Sequence, residues 1–179
     1  MKSTIVACAI LVTAFTAASA QHGQSPYAGQ ESRAIKSLSH AEIVQLLNGE
    51  GMGLAKAAEL NGYPGPKHVL ELAEPLKLTS NQVASTEAIF RRMSSRAKDI
   101  GARIVERERA LDAQFAGGSV TSEALGRSVE QIGALQAELR TVHLDAHLAQ
   151  LAILTPEQVT QYRRLRGYDS PAGEHTHSH

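Results

Sequence analysis

The chain has 179 residues, 18 basic and 18 acidic side chains, one cysteine, 4% aromatic residues and no Trp. That charge balance argues against nucleic-acid binding and against strong electrostatic attraction to membranes. The size suits one domain with a modest core, which must be built from Leu, Ile, Val and Ala.

Residues 1–20, MKSTIVACAILVTAFTAASA, have the three parts of a secretory leader. Lys2 supplies the charge, Ile5 to Phe15 the apolar run, and Ala18-Ser19-Ala20 the small-x-small cleavage site. The apolar run is too short to span a bilayer, and no later stretch is apolar enough. Ile5-Val6-Ala7-Cys8 has the look of a lipoprotein box, but only four residues precede it, too few for a charged region plus an apolar one. Cleavage removes Lys2 and Cys8 and leaves 17 basic against 18 acidic side chains, with no thiol for disulfides or nucleophilic chemistry. The mature protein is therefore expected outside the cytoplasm.

Residues 21–37 are rich in Gly, Gln, Ser and Pro without a sustained period, and read as a flexible arm ahead of one helical domain over 38–168. Ser39 with Glu42 three residues on makes a capping box for a helix that points Ile43, Leu46 and Leu47 inward and stops at Asn48-Gly49. A second short helix, Leu54 to Leu60, ends at Asn61-Gly62. The Gly62-Tyr63-Pro64-Gly65-Pro66 stretch is a rigid turn into a third, His68 to Ala73.

Two long amphipathic helices follow. Val83, Phe90, Met93, Ala97, Ile100, Ile104, Leu111 and Phe115 form the inward seam of the first. Leu125, Ile132, Leu135, Leu139, Val142, Ala146, Ala149 and Ile153 form that of the second. With Gly117-Gly118 between them they read as an antiparallel hairpin, so the fold class is all-α: a long helical hairpin with short flanking helices. A last helix ends near Arg166-Gly167, and 169–179 is a polar, His-containing tail expected to be disordered.

The hairpin is bracketed by two copies of one box, Leu78-Thr79-x-x-Gln82 ahead of its first helix and Leu154-Thr155-x-x-Gln158 ahead of the last short helix. Physically each is a helix start: the Thr caps, the Gln reaches back, the Leu staples, and Pro156 takes the first helical position where its missing donor costs nothing.

Histidines carry the possible chemistry. His143 and His147 are four apart on one helix, so both rings can meet one metal ion, or they are simply residues at the boundary of the buried stripe. Turning the chain at Gly117-Gly118 brings Glu87 and Met93 opposite them, a hard and a soft ligand candidate; Met93 is equally a packed core residue. His175, His177 and His179 alternate along the tail, where they could wrap around Zn, Ni or Cu, or remain a solvated end. The Gly49-x-Gly51-x-Gly53 run lacks the strand before it and the Lys-Ser/Thr after it that a phosphate loop needs. No G-x-S-x-G or H-E-x-x-H motif is present, and enzymatic activity is not expected.

The paired boxes, bracketing a long hairpin in a small exported all-helical chain, resemble those of the Spy/CpxP family of periplasmic stress proteins. The resemblance covers roughly Leu70 to Tyr168, and it implies a curved hairpin paired into a homodimeric cradle. It also implies one of three roles: an ATP-independent holdase for unfolded envelope proteins, an inhibitor of an envelope-stress sensor kinase, or a sensor or buffer of a divalent transition metal such as Zn, Ni, Co or Cu. His143-x-x-x-His147 is similar to the ligands of the metal-sensing branch, although the cleavable leader differs from the membrane anchor of the sensors and the first third has no placed counterpart. Leu144, Leu148 and Leu151, with Arg163, Arg164 and Arg166, form the surface a client would use.

Overall fold

The computed structural model describes residues 25–169. The expected leader with Cys8, and the tail histidines His175, His177 and His179, lie outside the described residues. The chain divides into two compact units, Met1–Glu31 and Ser32–His179. The described part of the first is a run of turns, closed by Ala28 N–H donating to the Ser25 carbonyl and Gln30 N–H donating to that of Tyr27.

The second unit is all-helical among its described residues: α1 (His40–Asn48), α2 (Lys56–Leu60), α3 (Pro66–Glu71), α4 (Ser80–Ala116), α5 (Ser122–Leu151) and α6 (Pro156–Leu165). No helix among the described residues is long and apolar enough to cross a membrane. The local start signals act as the sequence implies. Ser39 Oγ accepts from the Glu42 N–H at 3.2 Å, and Glu42 accepts from the Ser39 N–H at 2.8 Å. Thr79 with Gln82 and Thr155 with Gln158 build the same reciprocal cap. The short helices shift by two residues from expectation: Leu54 still belongs to the turn opened by Gly51, and Pro66 itself starts α3.

The two long helices pack against each other in opposite directions. Gln150 Nε2 donates to Thr86 Oγ1 at 3.1 Å, and Arg96 and Arg103 both approach Glu138, close to the register expected from a turn at Gly117-Gly118. The larger core joins Leu46 of α1, Ala97, Ile100, Ile104 and Val105 of α4, and Leu135, Leu139 and Val142 of α5. A second, smaller cluster of Val69, Leu76, Leu154 and Tyr162 holds α3 and α6 together at the end carrying the two boxes. The α1–α4 crossing is set by glycine: a Cβ at Gly101 would stand 2.0 Å from the Leu46 carbonyl oxygen.

Three expectations need correction. The stretch before α1 is not a free arm throughout, because Ile35 is fully buried in the larger core. Beside it, Lys36 binds Asp112 through both N–H and Nζ, and Ser37 Oγ donates to Glu108, so the stretch is strapped along α4. Leu47 is 45% exposed, since α1 turns its single buried Leu, Leu46, toward α4 and rotates the next residue about 100 degrees away. Phe115 is 56% exposed near the end of α4, where it lines a surface groove with Lys36 and Leu111 instead of the core.

Candidate metal site

Loop 48–52, α3, α4 and α5 enclose a cavity of about 520 Å³ whose lining includes His143, His147, His68, Met93, Met52 and Phe90. The i, i+4 spacing on α5 brings His143 and His147 to one wall, as their positions on one helical face require. Met93 enters from α4, and also lines a cleft with Val142 and Ala146, the chain neighbours of the two histidines. Of the two opposing ligand candidates, then, the structure brings Met93 to the cavity and leaves Glu87 out. Glu87 is half-exposed on the outer face of α4, with its carboxylate held by Arg91 at 3.0 Å. Its exclusion is a matter of helical phase: six residues from Met93, it faces away.

The two rings are poised differently. His147 Nδ1 lies 2.7 Å from the Tyr63 carbonyl oxygen. A carbonyl only accepts, so Nδ1 carries the proton and Nε2 keeps the lone pair. This is the orientation that a metal-binding imidazole receives from its outer partner. His143 is buried, and its Nε2 has no hydrogen-bond partner. Burial first, and the neighbouring His147 second, hold its pKa below the ordinary histidine value, so the ring is neutral and able to coordinate. An orphaned buried ring nitrogen is costly unless something occupies it. His68, which the sequence did not single out, binds Glu71 through Nδ1 at 2.9 Å and turns toward the same cavity. Among the described residues, no three His, Cys, Asp or Glu side chains lie close enough together to hold an ion.

Behind His147 lies a polar hub that sequence reasoning also missed. Glu59 of α2 accepts from the Tyr162 hydroxyl at 2.5 Å and the Tyr168 hydroxyl at 2.9 Å. Arg166 Nε lies 3.4 Å from the same carboxylate, and His147 Nδ1 lies 3.8 Å from its other oxygen. Burial and the Glu59 carboxylate push the Tyr162 hydroxyl far above the usual tyrosine range. One acid thereby ties α2, α5, α6 and the residues after α6 to the back of the candidate site.

The boxes meet at the same end of the molecule. Gln82 Nε2 donates to Gln158 Oε1 at 2.7 Å, and Gln158 Nε2 donates to Gln82 Oε1 at 3.1 Å. Each amide also reaches the backbone just ahead of the opposite box, Gln82 to the Ile153 carbonyl and Gln158 to that of Leu76. Leu78 and Leu154 pack in the smaller core beneath this clasp. Each glutamine therefore caps its own helix and binds the other, joining the starts of α4 and α6.

Compared with family models, with curated proteins and with solved structures, the chain has no significant match.

Proposed function

We propose that this is an exported, metal-responsive protein of the bacterial envelope, of the Spy/CpxP-like kind, that binds a transition-metal ion through His143 and His147. The observation that carries the reading is the pair of imidazoles on one wall of a cavity, one oriented through Nδ1 by the Tyr63 carbonyl, the other with a buried, partnerless Nε2. The helical pairing of α4 with α5 and the joined boxes agree with the hairpin that the resemblance implies, and a homodimer is the assembly to expect of it. The tail histidines would add a second, flexible ligand source. Binding of an ion to the folded form alone would stabilise it by mass action, which is the means of a metal response.

Calorimetric titration of the mature protein with Zn²⁺, Ni²⁺, Co²⁺ and Cu²⁺, with His175, His177 and His179 changed to Ala, tests the assignment. One ion per chain is expected, lost in His143→Ala/His147→Ala. Unchanged binding in that variant would sink the assignment.

A second reading, a holdase for unfolded envelope proteins, draws on Leu148, which is 56% exposed beside the partly exposed Leu144 and Leu151. The basic patch supports it less than the sequence suggested, because Arg163 pairs with Asp169 and Arg166 with Glu59. Suppression of aggregation of a denatured client is the test, and Leu148→Ser should weaken it.

A further inference from the structure

We propose that the cavity selects a soft monovalent cation, Cu(I), held by His143, His147 and the thioether of Met93, with Met52 at the rim. The inference rests on the reading of the His pair as a metal site and names the ion that this cavity suits.

Three observations carry it. The first is the donor set. Beside imidazoles, the residues lining the cavity offer two thioethers, Met93 and Met52, and a single carboxylate, Glu50, whose Oε1 already accepts from Asn48 Nδ2 at 3.2 Å. Among the described residues, no third His, Cys, Asp or Glu stands close enough to the pair to complete a site of that kind. From the facing helix Met93 offers sulfur beside the weak hydroxyl donor of Ser94, and thioether sulfur selects Cu(I) over the harder divalent ions.

The second is charge. Both thioethers are neutral donors, and His143, 4% exposed, brings an imidazole whose Nε2 has no hydrogen-bond partner. The donors themselves bring no negative charge, so the charge of the ion is offset only from beyond them, by Glu59 behind His147 and Glu50 in the lining. The desolvation cost of an ion rises with the square of its charge, so a monovalent ion is disfavoured far less than a divalent one.

The third is the rim. Met52 is held at φ 45, in the left-handed region that a side chain other than Gly rarely adopts, between Gly51 and Gly53. The loop keeps a flexible thioether at the mouth of the cavity, 42% exposed, where it can meet an entering ion.

The experiment uses the full mature chain with the three tail histidines changed to Ala. Cu(I) is titrated anaerobically against the chromophoric chelator bicinchoninate, Zn²⁺ and Ni²⁺ are titrated separately, and Ag⁺ serves as a redox-inert soft probe. Expected are binding of Cu(I) and Ag⁺ at least about 100-fold tighter than Zn²⁺, and a loss of about tenfold or more in Cu(I) affinity in Met93→Leu with Zn²⁺ unchanged. Leu is close to Met in volume, and thermal unfolding of the metal-free variant checks that the fold survives. X-ray absorption at the copper edge supplies a readout independent of affinity: a sulfur scatterer present in the parent protein and diminished in Met93→Leu. Tighter Zn²⁺ than Cu(I), or no sulfur scatterer, overturns the soft site while leaving the His pair as a metal site. Failure of every ion to bind overturns both.

Discussion

Where α1 crosses α4, the larger core is made of Ile, Leu, Val and Ala alone, and the closest approach is backbone on backbone at Gly101. At the other end, where α2 and α3 meet α5 and α6 packs on α3, polar groups are buried, His147, Gln150, Thr86 and the hydroxyl of Tyr162, with Glu59 nearly enclosed beside them. An apolar crossing is governed by shape and is indifferent to pH and ligands. A buried polar end is governed by whether each donor and acceptor is matched, and responds to protons, ions and partners. Of the two regions, only the second carries buried groups able to register a chemical signal. The difference also shows why acids of the same kind count differently. Glu138, between Arg96 and Arg103 on the surface, contributes a few tenths of a kcal/mol at most, whereas Glu59 accepts from two tyrosine hydroxyls and lies 3.4 Å from Arg166 and 3.8 Å from His147 at a site almost closed to water.

The largest effect is expected at the apolar crossing. The methyl group of Gly101→Ala would stand 2.0 Å from the Leu46 carbonyl oxygen, and backbone cannot yield as a side chain does. Helix α1 must then move off α4, which uncovers Ile35 and Leu46. We expect a loss of about 3 kcal/mol in denaturant unfolding. Gly133→Ala on α5 is the matched control: nothing lies within 4 Å of its new methyl group, and the variant should gain about 0.5–1 kcal/mol from helix propensity. Equal losses in both would show that the crossing is not set by glycine.

At the polar end the corresponding variant is Tyr162→Phe, which removes the shorter of the two tyrosine donors to Glu59. A loss of about 2 kcal/mol at neutral pH is expected, because a buried carboxylate is left short of a partner. The pH dependence separates this from simple loss of packing. Burial, then Glu59, raises the folded-state pKa of Tyr162 well above the ordinary value of 10.0. The stabilisation is therefore complete below about pH 10 and is lost as the pH rises, since only the unfolded chain releases the proton there. Stability measured from pH 9 to 11 should fall less steeply in Tyr162→Phe than in the parent. Parallel curves would remove the hub from the account of this end.

The same division explains what could be read from the sequence. Features encoded within one helical turn were legible: the capping boxes of α1, α4 and α6, the breaks at Gly49 and Gly117, the i, i+4 spacing of His143 and His147, and the seams that pair α4 with α5. Features that depend on the third dimension were not. Glu59 meets Tyr162 and Tyr168 from 103 and 109 residues away, and nothing in an Ala-rich five-residue helix marks its acid as buried. Ile35 sits in a Gly-, Ser- and Gln-rich stretch whose composition suggests a loose chain, yet one apolar side chain is enough to pin it. Glu87 and Met93 were equivalent by register, and only the phase of α4 decides that sulfur, not carboxylate, reaches the cavity.

The smallest effect, and the one that bears on the boxes, is the coupling between Gln82 and Gln158. Thr155→Ala removes the side-chain acceptor of the Gln158 N–H without removing a bond of the amide pair and should cost about 1 kcal/mol. Gln82→Ala removes its own cap contact, the bond to the Ile153 carbonyl and both bonds to Gln158. Gln158→Ala does the same from the other side, but the two variants share the amide–amide bonds, which can be lost only once. The double variant should therefore be less destabilised than the sum of the singles by about 0.5–1 kcal/mol. Strict additivity in a double-mutant cycle would mean that each box only starts its own helix. A measured coupling would mean that the repeat works as a pair: two helix starts 76 residues apart closing on each other, at the end of the molecule where the buried polar groups are gathered.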